Sequence, residues 1–409
     1  MNTFALLGRS YRVLASRVTR YFSTIHEERP DPLVGIPPSL SEKLRKDPTL
    51  FRPSDFVIIR ENQKGRRSLV GPLTPGATRD TAHGKVAHND IIGKMPRSGI
   101  KTHRGTVAFT AHHPTLDEYI LNAPRICTPI YPKDAAMIIS FLDLHPGSQI
   151  LEAGTGNGAL TLYLARAIAS HASDSSPPSG QVHTIELRAD HAAAARRHLL
   201  KFHRGAYAPH VCSHVGACDK VLREHYPSGT PFDAAVLDMP EPWESLKAVV
   251  PRLKNDGFLV CYLPNMTQVL DLVRYVRFER IPVAMEQCVD VELKEWDVRA
   301  TVVRSRTKTT QEVKVKEFQV EEDGEDEEDE KESGGPALNA VVAPAEVEPA
   351  LAWVCRPKNY NVHGHTAFLV KFRKCERVIE EEIEKIVTRD ILQEDEPHLD
   401  SLLNDNVCR

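Results

Sequence analysis

The stretch Leu151-Glu152-Ala153-Gly154-Thr155-Gly156-Asn157-Gly158-Ala159-Leu160 decides the fold of this chain, because it joins an apolar strand pattern to an apolar helix pattern. Glycines at alternate positions of such a turn let the backbone pass close to a ligand, since side chains there would occupy the ligand's space. A dinucleotide site would have the spacing G-x-G-x-x-G. The spacing here is G-x-G-x-G after an acidic residue. It favours S-adenosylmethionine, because the amino-acid end of that cofactor carries an ammonium group that Glu152 can hold.

Strands and helices alternate around this turn, which is the pattern of a parallel α/β sheet. The pattern begins near Tyr131. The predicted strands are 149–152, 182–186, 234–237 and 258–263, and the predicted helices are 135–144 and 159–169. We therefore expect an α/β domain of the Rossmann-like, class I methyltransferase type.

Two acidic residues follow predicted strands at their carboxyl ends, where open α/β sheets place their ligands. Glu186 ends the strand after the glycine turn, so its carboxylate can accept both ribose hydroxyl protons of the cofactor. The alternative is that Glu186 only caps the next helix. Asp219 follows the third strand, from where it could accept a hydrogen bond from the adenine amino group of the cofactor.

A second motif, Val236-Leu237-Asp238-Met239-Pro240-Glu241-Pro242-Trp243, ends the following strand. Its two prolines fix the backbone after Asp238, so the carboxylate is held in place. A methyl-accepting nitrogen such as adenine N1 already has a lone pair and needs positioning more than deprotonation. A carboxylate that accepts from the exocyclic N6 group orients the base and strengthens N1 as a nucleophile. The alternative is an aspartate that caps a loop.

The negative charge of the chain is concentrated in one run. The net charge of −4 becomes +5 when the nine acidic residues of positions 321–330 are left out. The mildly basic remainder permits a phosphate-rich partner. No apolar run approaches the roughly 18 residues that span a bilayer, so we expect no membrane partner. The eight cysteines include no CxxC pair, and we expect no metal site.

The first 26 residues have the composition of a mitochondrial transit peptide. Arg9, Arg12, Arg17 and Arg20 lie among Ser, Thr and apolar residues, and the first acidic residue is Glu27. We therefore expect a location in the mitochondrial matrix. The alternative is a disordered basic tail.

Composition divides the rest of the chain. Short strand patterns broken by glycines, at 55–60, 81–86 and 90–94, predict a small antiparallel β-domain. Its basic residues form either a surface that binds an RNA backbone or an ordinary solvent-exposed surface. They are Lys64, Arg66, Arg67, Lys85, Lys94, Arg97, Lys101 and Arg104.

The predicted order of segments begins with a transit peptide at 1–26, a linker at 27–50 and the β-domain at 51–120. The α/β domain follows at 121–310, with a Ser/Pro-rich loop at 171–180. An acidic disordered insertion at 311–349, a strand completing the sheet at 350–375 and a tail at 376–409 end the chain.

Several motifs, taken in order, resemble the tRNA adenine-58 N1-methyltransferase family. They are Ile91-Ile92-Gly93-Lys94, Ile130-Tyr131-Pro132-Lys133-Asp134, the glycine turn, Leu237-Asp238-Met239-Pro240-Glu241-Pro242-Trp243, Tyr262-Leu263-Pro264-Asn265 with Gln268, Arg356-Pro357, and His365-Thr366-Ala367-Phe368-Leu369. The resemblance spans residues 51–310 and 351–375. Several motifs in the same order are far more specific than any one of them.

This resemblance implies a class I methyltransferase domain with a small N-terminal β-barrel. The enzyme would use S-adenosylmethionine to modify the T-loop adenine of tRNA, after that base is pulled out of its folded context. By motif position, Asp238 is the catalytic carboxylate and Glu186 the ribose ligand. The other implied positions are Gly154, Thr155, Gly156, Asn157 and Gly158 along the methionine moiety, His191 as a cofactor contact, and Tyr262 stacked on or near the substrate base.

The resemblance also implies a tetramer, either a homotetramer or a heterotetramer with a non-catalytic paralogue. The expected location is the mitochondrial matrix, and the alternative is the nucleus, where related enzymes are found.

Three hypotheses for the function remain. The chain is an active tRNA methyltransferase, a non-catalytic tRNA-binding subunit, or a class I methyltransferase with another acceptor. The glycine turn, Glu186 and Asp238 together argue against the second. A protein carboxylate as the acceptor would be repelled by Asp238.

Overall fold

The computed structural model describes residues 33, 36–62, 65–169, 180–227, 229, 232–303, 350–357 and 364–375. The predicted transit peptide, nearly all of the Ser/Pro-rich loop, the acidic insertion and the C-terminal tail lie outside the described residues. The chain divides into two compact units: one comprises Met1–Glu292 together with Gly364–Arg409, and the other is Leu293–His363.

Eight α-helices and fifteen strands are found in the described residues. The helices are α1 (Pro38–Lys46), α2 (Leu116–Asn122), α3 (Pro132–Phe141), α4 (Ala159–Ile168), α5 (Ala189–Lys201), α6 (Cys218–His225), α7 (Leu246–Val249) and α8 (Met266–Phe278). The strands are β1 (Val57–Glu61), β2 (Arg67–Val70), β3 (Thr78–Thr81), β4 (Gly84–Ala87), β5 (Gly99–Lys101), β6 (Val107–His112), β7 (Gln149–Ala153), β8 (Gln181–Glu186), β9 (Val211–Val215), β10 (Phe232–Leu237), β11 (Leu253–Leu263), β12 (Val283–Asp290), β13 (Trp296–Val303), β14 (Ala350–Pro357) and β15 (Phe368–Lys374). None of these helices is both long and apolar enough to cross a bilayer.

Seven strands form the central sheet in the order β12-β15-β11-β10-β7-β8-β9. The strands from β11 to β9 are parallel, and β15 runs antiparallel between β11 and β12. Side chains alternate between the two faces of a strand. Ile150 and Val236 therefore pack into one apolar core, while Leu151 and Leu237 pack into another. Burial on both faces explains the continuous apolar runs of these strands. The predicted class I, Rossmann-like fold is confirmed.

The position of β7 at the centre of the sheet decides where a ligand can bind. The chain winds outward from β7 in both directions, with β8 and β9 on one side and β10 and β11 on the other. At such a reversal the loops after neighbouring strands leave toward opposite faces and open a crevice at the carboxyl ends. The ends of β7, β8 and β10 therefore form the walls of one site.

Only part of the predicted segment 350–375 completes this sheet. Strand β15 pairs with β11 and β12, whereas β14 pairs with β13 over eight residue pairs in the smaller unit. Pro357 ends β14, because proline cannot donate a hydrogen bond to a ladder. The prediction of one closing strand is corrected to one closing strand and one hairpin strand.

The N-terminal part contains an antiparallel sheet in the order β2-β1-β6-β5 and a separate β3-β4 hairpin. Two predicted strands need correction. Residues 81–86 contain the turn between β3 and β4, and residues 90–94 form the end of a short 3-10 helix and a turn. Gly84 and Gly93 have φ angles of 114° and 79°, which interrupt an extended strand.

The predicted linker at 27–50 contains helix α1 in its described part. Pro38 lies at the first helical position, where its missing N–H costs nothing and its fixed φ suits the helix. Leu44 and Leu50 are buried in the same apolar core as Val57 and Ile59 of β1. This part of the segment therefore packs as a structural element, and its polar residues cover the outer face.

A clamp centred on Arg204 joins this N-terminal part to the short 3-10 helix that follows α5. The guanidinium donates through Nε and Nη2 to the two carboxylate oxygens of Asp55, at 2.8 Å each, and also to the carbonyl oxygens of Pro48 and Leu50. Asp55 is 5% exposed. Arg204 and the preceding His203 have φ angles of 58° and 46°, a left-handed backbone that is costly for residues other than glycine. The contacts of Arg204 offset that cost.

We expect Arg204→Ala to lower the free energy of unfolding by about 1–2 kcal/mol, because the buried Asp55 carboxylate loses its bidentate charged partner. Thermal unfolding followed by circular dichroism measures the change. The matched control is Lys46→Ala, which removes an exposed i,i+4 pair with Glu42 and should change stability by less than about 0.5 kcal/mol. Equal effects of the two substitutions would contradict the clamp.

Candidate active site

The glycine turn after β7 brings two strand ends into close contact. Gly154, Gly156 and Gly158 all have positive φ angles, of 97°, 55° and 79°. The N–H of Asp238 donates to the carbonyl oxygen of Ala153 at 2.8 Å, which joins the ends of β10 and β7. A Cβ atom on Gly154 would lie 1.9 Å from the carbonyl oxygen of Asp238. Only glycine permits this approach, so the turn and the Asp238 loop are built together.

Glu186 lies at the end of β8 and faces the turn. Its Oε2 accepts from the N–H of Gly156 at 2.8 Å, and its Oε1 accepts from the N–H of Arg188 at 3.1 Å. Arg188 is the residue before the first turn of α5. The side chain therefore caps the helix and also reaches the glycine turn, and its contact with a ribose stays a prediction.

Glu152 is wholly buried beneath the turn. Its Oε2 accepts from the Thr161 hydroxyl at 2.7 Å. Its Oε1 is buried and has no hydrogen-bond partner among the described residues. Burial raises the pKa of Glu152 to about 7, although the hydroxyls of Thr184 and Thr161 oppose that rise. A buried, unpaired acceptor is costly, and a cationic ligand group above the turn would relieve that cost.

Asp238 follows β10 and is half-buried. Burial raises the pKa of Asp238 to about 7, and the nearby Glu186 carboxylate adds to the rise. The loop after it is held by Gln268, whose amide donates to the carbonyl oxygen of Pro240 at 3.0 Å. Three carboxyl groups, Glu152, Glu186 and Asp238, therefore surround one glycine turn. A site of this charge fits a cation.

Tyr262 lies on β11, next to β10, and is 9% exposed. Burial raises the pKa of its phenol, and the carboxylates of Asp134 and Asp238 raise it further. The residue therefore stays protonated at neutral pH and lies within electrostatic range of Asp238. Its predicted stacking on a substrate base stays a prediction.

Four further residues were predicted from the sequence to contact the cofactor, and they lie at different distances from the glycine turn. Thr155 and Asn157 are buried in the turn, where the Thr155 hydroxyl is 2.5 Å from that of Thr184. His191 is buried in the first turn of α5, and its Nδ1 accepts from Arg188 at 2.8 Å. Asp219 is half-exposed in the first turn of α6 and pairs with Arg223 at 2.6 Å. In the described residues no hydrogen bond joins Asp219 to the glycine turn, and its role stays a prediction.

Cys127 also lies at this site, although the sequence analysis did not single it out. Its Sγ would be 3.2 Å from a Cβ atom on Gly156. Burial raises the pKa of the thiol, and the carboxylates of Glu186 and Asp238 raise it further. A single cysteine in a loop carries no sequence pattern, so only the fold reveals its position.

The site thus has features that suit S-adenosylmethionine. Gly154 lets the ends of β7 and β10 meet closely, and the carboxyl groups of Glu152, Glu186 and Asp238 around the turn suit a cationic ligand. Glu186 also sits at the strand end where a ribose is held in doubly wound folds.

Comparison with known proteins identifies the lineage. The family model described as "tRNA methyltransferase complex GCD14 subunit" matches residues 110–374. The tRNA (adenine(58)-N(1))-methyltransferase TrmI of Thermus thermophilus is 38% identical over 249 residues, which cover 61% of this chain and 90% of that protein. The catalytic subunit TRM61 of Cryptococcus neoformans is 28% identical over 230 residues, covering 55% of this chain and 49% of that protein.

Solved structures support the fold. An O-methyltransferase from Thermotoga maritima aligns with a TM-score of 0.59 and 22% identity, covering 81% of this chain and 97% of that one. The tRNA (m1A58) methyltransferase TrmI of Aquifex aeolicus aligns with a TM-score of 0.53 and 21% identity, covering 80% and 99%. The family match extends over more than half of the chain, from the end of the N-terminal sheet to the closing strand β15. The chain therefore belongs to the GCD14 family of tRNA methyltransferase complex subunits.

Proposed function

We propose that this chain is the catalytic subunit of a tRNA methyltransferase and transfers a methyl group from S-adenosylmethionine to N1 of adenine 58 in the T-loop. The observation that carries the proposal is the half-buried Asp238 carboxylate at the end of β10, beside the glycine turn and Glu186. The similarity to TrmI supports the choice of the acceptor base.

The cofactor would be held by the three strand ends. Glu152 would lie beneath its ammonium group, and Glu186 would accept from its ribose hydroxyls. The tight turn that Gly154, Gly156 and Gly158 permit would lie along its methionine moiety. When bound, S-adenosylmethionine supplies an electrophilic methyl group carried by a positively charged sulfur.

Asp238 then orients the acceptor base. Its carboxylate accepts a hydrogen bond from the exocyclic N6 group, which fixes the direction in which N1 points. As N1 gains a methyl group, positive charge spreads onto N6 and its hydrogens become more acidic. The hydrogen bond to a carboxylate therefore strengthens in the transition state, which is the condition for catalysis rather than binding alone.

The raised pKa of Asp238 gives this role a pH dependence. The carboxyl group accepts from N6 only in its ionised form, and burial together with Glu186 raises its pKa to about 7. Protonation below that pH removes the acceptor, so the reaction of the free enzyme should slow as the pH falls through 7.

The exposed basic residues of the N-terminal part are the proposed contacts for the tRNA backbone. One of them, Arg67, pairs with Glu118 at 3.0 Å. Phosphate contacts position a nucleic acid without reading its sequence. The exposed members are Arg66, Arg67, Lys85, Arg97, Lys101 and Arg104, with Lys94 half-buried; Lys64 lies outside the described residues.

We also propose that four copies of this chain assemble, through the β13-β14 hairpin. Residues in register share a face, and one face carries Trp296, Val298, Ala300, Trp353, Cys355 and Pro357. Trp296, Val298 and Trp353 are 54%, 62% and 66% exposed. An isolated two-stranded hairpin is at best marginally stable in water, so this apolar face needs a covering surface. TRM61 is named as a catalytic subunit and TrmI is not named as a subunit, so the higher identity to TrmI, 38% against 28%, favours a second copy of this chain over a paralogue as the partner.

A methyl-transfer assay tests the main proposal. Purified residues 27–409 with S-adenosylmethionine and unmodified tRNA should form 1-methyladenosine, detected by mass analysis of the digested nucleosides. Asp238→Asn should lower the rate by about 10²–10⁴-fold. Asp271→Asn, an exposed carboxylate on α8, is the matched control and should react normally. Binding of cofactor and tRNA without transfer would instead support the non-catalytic subunit, and methylation of another acceptor would support the third hypothesis.

The pH profile of the same reaction, measured with both substrates below saturation, should rise about tenfold per pH unit below pH 7 and level off above it. Asp238→Asn should lose this rise, because the amide does not titrate. A rise that persists in the variant would show that another group controls the rate.

For the assembly, light scattering after gel filtration should give the mass of a tetramer, and Trp353→Glu should give a smaller species because it places a charge on the apolar face. Arg356→Glu lies on the opposite face of the hairpin and is the control. A purified chain that is monomeric before any substitution would favour a partner of different sequence.

We propose the mitochondrial matrix as the location, from the arginine-rich, acid-free composition of residues 1–26. A fluorescent protein carrying these residues should enter mitochondria, and replacement of the four arginines by alanine should leave it diffuse. Accumulation of the full-length chain in the nucleus would overturn the proposal.

A further inference from the structure

His365 forms hydrogen bonds with both of its ring nitrogens at the carboxyl end of β11. Its Nε2 donates to the carbonyl oxygen of Pro264 at 2.8 Å, because a carbonyl oxygen can only accept. Its Nδ1 lies 2.9 Å from Oδ2 of Asp290, the last residue of β12. Pro264 follows the end of β11, so one side chain joins the ends of two strands that β15 separates in the sheet.

The two partners of His365 determine the charge of its ring. A neutral imidazole has one N–H group and one acceptor nitrogen, whereas an imidazolium has two N–H groups. An ionised Asp290 and the Pro264 carbonyl are both acceptors, so only the imidazolium satisfies both. The hydrogen bond to Asp290, and next the one to Pro264, raise the pKa of His365, while burial and the positive charge of Lys133 oppose that rise. The ring therefore keeps its charge to a higher pH than an ordinary histidine does.

The groups that face His365 come from four elements. They are Asp290 on β12, Lys133 on α3, the carbonyl group of Pro264 after β11, and Phe368 on β15, whose ring centroid is 4.6 Å away. The ammonium of Lys133 has three N–H groups, and it donates to Asp134, to Thr366 and to the carbonyl oxygen of Val291. Lys133 therefore has no N–H group left with which to replace His365 at Pro264.

Loss of one proton from His365 releases Pro264 rather than Asp290. A neutral ring keeps a single N–H group, and a carboxylate is a stronger acceptor than a carbonyl oxygen. Nδ1 therefore keeps its proton for Asp290, and Nε2 is left with a lone pair that faces the Pro264 oxygen. Two acceptors at this distance repel each other, so the Pro264 peptide is no longer held.

The Pro264 peptide connects to the loop that carries Asp238. The next residue, Asn265, precedes α8, and its backbone N–H and side-chain amide donate to Oε1 of Gln268 at 3.2 and 3.3 Å. These bonds fix the amide of Gln268 so that its nitrogen donates to the carbonyl oxygen of Pro240 at 3.0 Å. Pro240 lies two residues after Asp238. An unbroken series of contacts therefore leads from the histidine ring to the acceptor carboxylate.

We propose that His365 is a positioning residue for methyl transfer, which holds the Asp238 loop through Gln268 only while both of its ring nitrogens carry protons. This inference rests on the proposed function and adds an upper pH limit to it. Asp238 must be ionised, which limits the reaction at low pH, and His365 must be protonated, which limits it at high pH. The rate that levels off above pH 7 should therefore fall again at higher pH.

The pH profile of methyl transfer above pH 7 tests this limit. The wild-type rate should fall about tenfold as His365 loses its proton, the equivalent of one hydrogen bond of about 1.4 kcal/mol. His365→Ala should have the low rate throughout, without a further fall. Asp290→Asn should keep the high rate, because the asparagine amide can donate to Nδ1 of a neutral ring whose Nε2 still donates to Pro264. His145→Ala removes an exposed histidine before β7, and as the matched control it should keep the wild-type profile.

The response of Asp290→Asn separates this role from a merely structural one. An ion pair that only stabilised the fold would make this variant slower at every pH, and that result would overturn the inference. A wild-type rate that stays level at high pH, or a fall that persists in His365→Ala, would also overturn it.

A second measurement follows the Asp238 loop without any reaction. Trp243 lies in the short 3-10 helix of this loop, and fluorine NMR of protein labelled with fluorotryptophan reports its surroundings. Trp243→Phe identifies the signal by its absence. The signal should shift with the same midpoint as the ring of His365, and Asp290→Asn should remove the shift. A signal that ignores His365, in an enzyme that transfers methyl groups, would overturn the inference alone. A coupled signal without any methyl transfer would overturn the proposed function instead.

Discussion

The close contact between Gly154 and Asp238 is the constraint on which the site depends. A hydrogen bond from the Asp238 N–H to Ala153 draws the ends of β7 and β10 together, and the carbonyl oxygen of Asp238 then fills the space that a side chain on Gly154 would need. The glycine turn therefore fixes the acceptor carboxylate as well as the cofactor crevice. The methyl donor and the acceptor base are thus positioned by the same few backbone atoms at the two strand ends. Those atoms set the distance between the methyl group and the acceptor nitrogen.

Three acidic groups in one crevice are unfavourable for the ligand-free protein. Burial and mutual repulsion raise the pKa values of Glu152 and Asp238 to about 7, so the folded state resists their full ionisation. A cationic ligand removes that repulsion. The free energy stored in the crowded carboxylates thus favours binding of a positively charged cofactor, and loss of that charge on methyl transfer weakens the retention of the product.

The sequence predicted the residues of the site more accurately than the strands of the N-terminal part. The G-x-G-x-G turn, Glu186 and Asp238 lie together as expected, because their strand and helix patterns are long and apolar. The strand assigned to 81–86 instead spans the end of β3, a turn and part of β4, and the strand assigned to 90–94 does not form, because Gly84 and Gly93 have positive φ angles. The hydrogen bond between Lys133 and Thr366 could not be predicted from the sequence, because the two residues are 233 positions apart and the pairing of β15 with β11 brings them together.

The position of β15 has a consequence for the order of events during synthesis. This strand lies between β11 and β12 in the sheet, yet it is made after both of them and after the long insertion that follows β13. A nascent chain that ends before Thr366 leaves a gap in the sheet with two unpaired strand edges, and it lacks the hydroxyl that pairs with the buried Lys133 and Asp134. Such a chain contains the strands that form the cofactor crevice, but its sheet is not closed beside β11. The sheet is therefore completed only after nearly the whole domain has left the ribosome.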